Sequence, residues 1–109
     1  MEDESIATTE SLFRDVNERI AESAQRFETP EAEFVCECAD TACTERVEAP
    51  LHQYEQVRAD GTHFLLAPGH EDERFERVIE RRRGYEVVEK FNRAIAAVAR
   101  RLDPRAGTA

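Results

Sequence analysis

The sequence predicts an α+β fold: a small, mostly antiparallel sheet, amphipathic helices at the N- and C-terminal ends, and a cysteine-containing hairpin loop. Three observations predict it. Apolar residues recur at spacings of three and four near both ends of the chain. The middle carries short alternating or compact apolar runs bounded by Gly, Pro and Asp. At 109 residues the chain has the length of one domain, and 40% hydrophobic with 7% aromatic content allows only a thin core.

Residues 1–7 read as a disordered N-terminus, 8–103 as a single domain and 104–109 as a disordered tail. From Thr8 to Phe27, the residues Leu12, Phe13, Val16, Ile20, Ala24 and Phe27 form one apolar helical face, capped by Thr8 or Thr9. Thr29-Pro30 ends that helix, because a residue before proline avoids the helical region. Glu33 to Cys38 alternates as a strand, with Phe34, Cys36 and Cys38 on one face. Residues 39–44 form a tight loop, and Glu45 to Glu48 return as the second strand of a hairpin. Pro50 opens a short helix with Leu51, Tyr54 and Val57 on its inner face, stopped by Asp60-Gly61. Thr62 to Ala67 reads as a buried strand, and Pro68-Gly69-His70 as a turn. Residues 71–83 fit either a helix or a strand; a hairpin turning at Arg83-Gly84 into Tyr85–Glu89 is the favoured reading. Phe91, Ile95, Val98 and Leu102 mark the last helix, ended before Pro104.

With 24 acidic and 15 basic residues the formal net charge is -9. Nucleic acids and anionic membranes both call for basic surface, so neither is an expected partner. The expected partner is another protein. No apolar run approaches the length of a membrane span, and the first five residues are acidic rather than leader-like. The expected location is the cytoplasm. There, clustered thiols point to metal or redox chemistry before structural disulfides. Arg81-Arg82-Arg83 is short and surrounded by acids, so it reads as solvated surface or as pairing with Glu71 to Glu73.

The chemistry concentrates in Cys36, Cys38 and Cys43, three thiols within eight residues. Zinc needs four soft or borderline ligands converging on one point. Cysteines two apart on a strand end project the same way, and a four-residue loop can return Cys43 beside them. His70 is the expected fourth ligand, from its place in a turn after a strand; His63 comes second, His52 third, and Asp40 is an oxygen alternative. The competing readings are three cysteines packed as small hydrophobes and a thiol-based redox sensor closing a Cys36–Cys38 or Cys38–Cys43 disulfide. An iron–sulfur reading rests on C-x-C alone. A Cys43–His70 nucleophile pair lacks an orienting group and an oxyanion site, so no enzyme is expected. Glu37, between two thiols, is expected to raise their pKa values and so to favour a metal over a nucleophile.

Phe34 to Val47 with its F-x-C-x-C-x4-C cluster, Tyr54-Glu-Gln-Val-Arg, Phe64 to Glu71 with its P-G-H turn, and Tyr85 to Lys90 together resemble a family of short uncharacterised bacterial proteins. The resemblance covers about residues 12–90 and implies that the cysteine cluster and His70 belong to one pattern. It implies no activity. The sequence thus leads to a small non-enzymatic zinc-binding domain holding one zinc ion and serving protein–protein interaction or regulation.

Overall fold

The computed structural model describes residues 3–105, with side chains from Ser5 onward. The order is α1 (Asp3–Arg26), β1 (Glu31–Val35), β2 (Arg46–Pro50), α2 (Leu51–Val57), β3 (His63–Leu66), β4 (Glu76–Arg82), β5 (Tyr85–Lys90) and α3 (Arg93–Arg101). The class is α+β, with helices at both ends. The strands divide into two antiparallel sheets, β1-β2 and β3-β5-β4. Segment 71–83 contains strand β4, which turns through Gly84 (φ +89°) into β5. A register shift between Val78 and Glu80 bends β4. Among the described residues no helix is long and apolar enough to cross a membrane.

Helix α1 departs most from expectation. It begins at Asp3 rather than Thr8, and Ile6 and Ala7 are buried, so the frayed start expected over 1–7 is corrected for residues 3–7. Residues 1–2 lie outside the described part. The face turned to the core carries Glu10, Ser11, Arg14, Asn17, Ala21 and Ala24. Leu12, Val16 and Phe27, expected inside, are 62%, 44% and 72% exposed. The reason lies in what α1 covers. The Arg14 guanidinium donates to Ala99 O at 2.7 Å, one of the final carbonyls of α3, and to Gly61 O at 2.7 Å. It also lies 4.5 Å from the Phe64 ring centre. The Asn17 side chain donates to Val35 O and accepts from Val35 N, both at 2.8 Å, completing the edge of β1 as a further strand would. Backbone groups at the ends of other elements need partners, and the polar side of α1 supplies them. The helix then ends through Glu28 in the left-handed region (φ 54°), with Thr29 N bonded to Ala24 O at 2.8 Å.

The main core joins Phe34, Val47, Tyr54, Phe64, Leu65 and Val88. Phe34 stacks on Tyr54 with ring centres 4.5 Å apart. In α2, Pro50 is the cap rather than a first-turn residue. Asn92 caps α3 by accepting from Ile95 N at 3.1 Å. Ile95, Ala96 and Ala99 form its inner face, whereas Phe91 precedes the helix and Leu102 ends it, both exposed. Residues 106–109 of the expected tail lie outside the described part. Arg105 within it is anchored to Glu18 and Glu55. Arg81 and Arg82 are exposed and pair with nearby acids, Glu71 and Glu86 for the first and Glu80 for the second.

Candidate metal centre

Strand β1 stops at Val35, so Cys36 and Cys38 lie just beyond it rather than within it. The chain holds its direction there by changing partners. Cys36 N still bonds to Glu45 O at 3.2 Å, but Glu37 N bonds across to Leu65 O at 2.8 Å, on β3 of the other sheet. The Glu37 side chain strengthens this switch. It is fully buried, accepts from Leu65 N at 2.9 Å and accepts from the Asn17 amide at 2.6 Å. Extended backbone alternates its side chains, so with Glu37 turned inward to β3, Cys36 and Cys38 turn together to the other side. Cys43 returns through an Asx turn: Asp40 Oδ1 accepts from Ala42 N at 2.9 Å, and Asp40 O accepts from Cys43 N at 3.0 Å.

Strand β3 ends in the turn that delivers the histidine. Pro68 precedes Gly69 (φ +84°), and His70 N bonds to Ala67 O at 3.1 Å, the pattern of a type II turn. Gly69 N also donates to the buried carboxylate of Glu86, which fixes the turn on β5.

The two loops bring Cys36, Cys38, Cys43 and His70 together, with one ligand atom from each lying within 4.8 Å of the others. His70 Nδ1 stands 3.6 Å from the sulfurs of both Cys36 and Cys43. Around a tetrahedral zinc, with Zn–S about 2.3 Å and Zn–N about 2.0 Å, a sulfur and a nitrogen stand about 3.5 Å apart. The sulfurs also carry backbone donors. Ala67 N reaches Cys36 Sγ at 3.2 Å, and the amides of Asp40 and Glu45 favour the thiolates of Cys38 and Cys43. Such N–H groups stabilise sulfur that bears negative charge.

The thiols differ in acidity. Cys38 is drawn down to about 5, first because it accepts the proton of Cys36, with His70 and the Asp40 amide adding to this. Cys36 is pushed far up, as the donor in that bond and by burial. Burial also raises Cys43. Glu37 is not the cause expected from the sequence; its carboxyl faces away, and burial raises its own pKa. The three sulfurs thus differ in how readily each gives up its proton. A divalent cation would take up the negative charge of all three.

The other candidate ligands lie elsewhere. His63 sits opposite Glu89 on the neighbouring strand, with Nε2 3.2 Å from its carboxylate and 3.6 Å from that of Asp60. His52 is exposed on α2. The carboxylate of Asp40 caps its own turn and does not join the cluster. An open cleft of about 600 Å³ beside Cys38 and His70 is rimmed by Asp40, Glu71, Asp72 and Glu73, with Arg74 paired to Asp72, so the rim keeps a net negative charge toward an approaching cation. Glu37 and Asn17 orient the site and fall outside the ligand set that the sequence predicts. The available signal was the strand alternation that sets Glu37 opposite the two cysteines. Comparison with models of known families, with curated proteins and with solved structures finds no match.

Proposed function

We propose that the protein is a structural zinc domain in which Cys36, Cys38, Cys43 and His70 hold one ion. One observation carries this reading. Three sulfurs and one nitrogen lie within 4.8 Å of one another, with His70 Nδ1 at 3.6 Å from two of the sulfurs, and each sulfur meets a backbone N–H. Cysteines packed only as hydrophobes need no such donors. A two-iron cluster would divide the four ligands between separate irons, whereas these lie around a single point. With four protein ligands the coordination is complete, leaving no position for substrate, as structural sites require. The role is therefore non-enzymatic: the ion ties the loop after β1 to the turn after β3, and the fixed surface serves protein–protein interaction or regulation in the reducing cytoplasm.

Protein purified without a metal-affinity tag should contain about one zinc per chain and be colourless. Removing the zinc with a chelator should lower the thermal midpoint, because in small metal domains binding free energy is folding free energy. His70→Ala should weaken zinc binding while leaving three thiols to titrate. Full thermal stability after complete removal of zinc would sink the structural reading. The close sulfurs also favour a second reading, a thiol-redox sensor. It requires the free-thiol count to drop and recover reversibly after mild peroxide, and an unchanged count would dispose of it.

A further inference from the structure

Helix α1 wears its apolar stripe on the outside. Leu12, Val16 and Phe27 are exposed, and Phe13 and Ile20, half-buried, lie along the same line. At 1.5 Å per residue the stripe runs about 22 Å, more than isolated exposed apolar residues account for. One flank is Ala24 and Asn17, both covered by the chain's own core. The other flank is Asp15, Arg19, Glu22 and Arg26. No ion pair among the described residues involves any of these four.

We propose that this face is the interface of a homodimer in which α1 packs antiparallel against α1 of a second copy. The charge order argues for a second copy. A two-fold axis across the stripe brings charged flank to charged flank, because each copy presents the same side. Setting the axis between Ile20 and Ala21 places Asp15 opposite Arg26 and Arg19 opposite Glu22, each pair occurring twice. Both pairs are of opposite sign in this one register. A different partner would need no such self-complementarity. The same register brings Phe13 of one protomer to a shallow recess of about 260 Å³ on the other, lined by Ile20, Ala24, Phe27, Thr29 and Ala32. Residues near Ile20 meet at the axis. Dimerisation thus covers the stripe, gives the unpaired charges partners and fills the recess. It rests on no part of the zinc reading.

Sedimentation equilibrium of the full chain as purified tests this, over about 1 to 200 μM, the range of modest helix-pair affinities. The apparent mass should double with rising concentration. Val16→Asp should raise the dissociation constant at least about tenfold without lowering the thermal midpoint of the monomer, since the site is exposed. Arg19→Glu alone should weaken the dimer, because it sets acid against acid twice. The double variant Arg19→Glu with Glu22→Arg should restore it, because the pairs are exchanged rather than removed. A chain that stays monomeric throughout, a dimer indifferent to Val16→Asp, or a double variant no better than Arg19→Glu would each overturn the proposal.

Discussion

Glu37 stands between two cysteines in sequence and turns away from both in space. Its backbone crosses to Leu65, and its carboxylate receives Leu65 N and the Asn17 amide. Removing it strands two buried donors, each costing about 1–3 kcal/mol. The damage should reach the metal, because the bonds of Glu37 set the side on which Cys36 and Cys38 emerge. Glu37→Ala is therefore expected to lower zinc affinity about 10- to 100-fold, as loss of an outer-shell support does. Competition against a chromophoric chelator measures this, and wild-type affinity in the variant would refute the positioning role. The four candidate ligands were legible because their signals are local: two cysteines at strand spacing, a short loop, and a proline–glycine turn before His70. Glu37 was legible only as a charge. Its partners lie 20 and 28 positions away, and no local pattern reports them.

At the scale of elements, the same division recurs. Helix α2 and the short strand β3 followed from turn residues and short-range periodicity, whereas in 71–83 periodicity fitted helix and strand alike and only the Arg83-Gly84 turn favoured the β4–β5 hairpin. Helix α1 was recognised as a helix, but its buried face is turned: Arg14 exchanges places with Leu12, Val16 and Phe27, while Ala24 lies inside and Asp15, Arg19, Glu22 and Arg26 outside as expected. Periodicity finds an apolar stripe and leaves open what the stripe faces. Here the core-facing side answers to backbone groups of α3, β1 and the segment before β3. The exchange makes a prediction with unequal arms. Arg14→Ala removes the partner of two carbonyls and a cation over the Phe64 ring, and should cost about 3 kcal/mol. Leu12→Ala, at concentrations where the chain is monomeric, should stay within about 0.5 kcal/mol, as exposed positions do. Chemical denaturation of both variants decides the matter. A costly Leu12→Ala beside a harmless Arg14→Ala would restore the orientation expected from the apolar pattern.

For the whole molecule, one buried group of three adds a separable part to the dependence of stability on pH, beside the buried Glu37 and Glu86, whose pKa values burial also raises. The Lys90 ammonium lies between the carboxylates of Glu10 and Glu76 and close to the Phe64 ring, tying α1 to β4 and β5. One cation cannot balance two carboxylates away from water. Burial, with the Glu76 charge adding to it, raises Glu10 to about 8, while Lys90 pulls the other way. The unpartnered Oε1 of Glu10 is a natural seat for the retained proton. Between the ordinary carboxylate value of 4.5 and about 8, the folded chain holds a proton that the unfolded chain has released. Stability from this proton is therefore fully present below about 4.5 and is lost as pH rises through about 8. Glu18, Asp72 and Glu89, whose hydrogen bonds to arginines lower their pKa values, act in the opposite sense, losing stability as pH falls through their folded values. On the zinc reading, the ligands would also gain protons in acid and release the ion. Comparing wild type with Glu10→Gln isolates the buried group, because both chains share the metal site and the surface carboxylates. The variant keeps an acceptor for Lys90 but cannot ionise. Relative to wild type it should gain stability as pH is raised from 6 towards about 8 and level off above that. Denaturation midpoints measured across that interval should diverge, and parallel curves would show that Glu10 is already ionised in the folded protein.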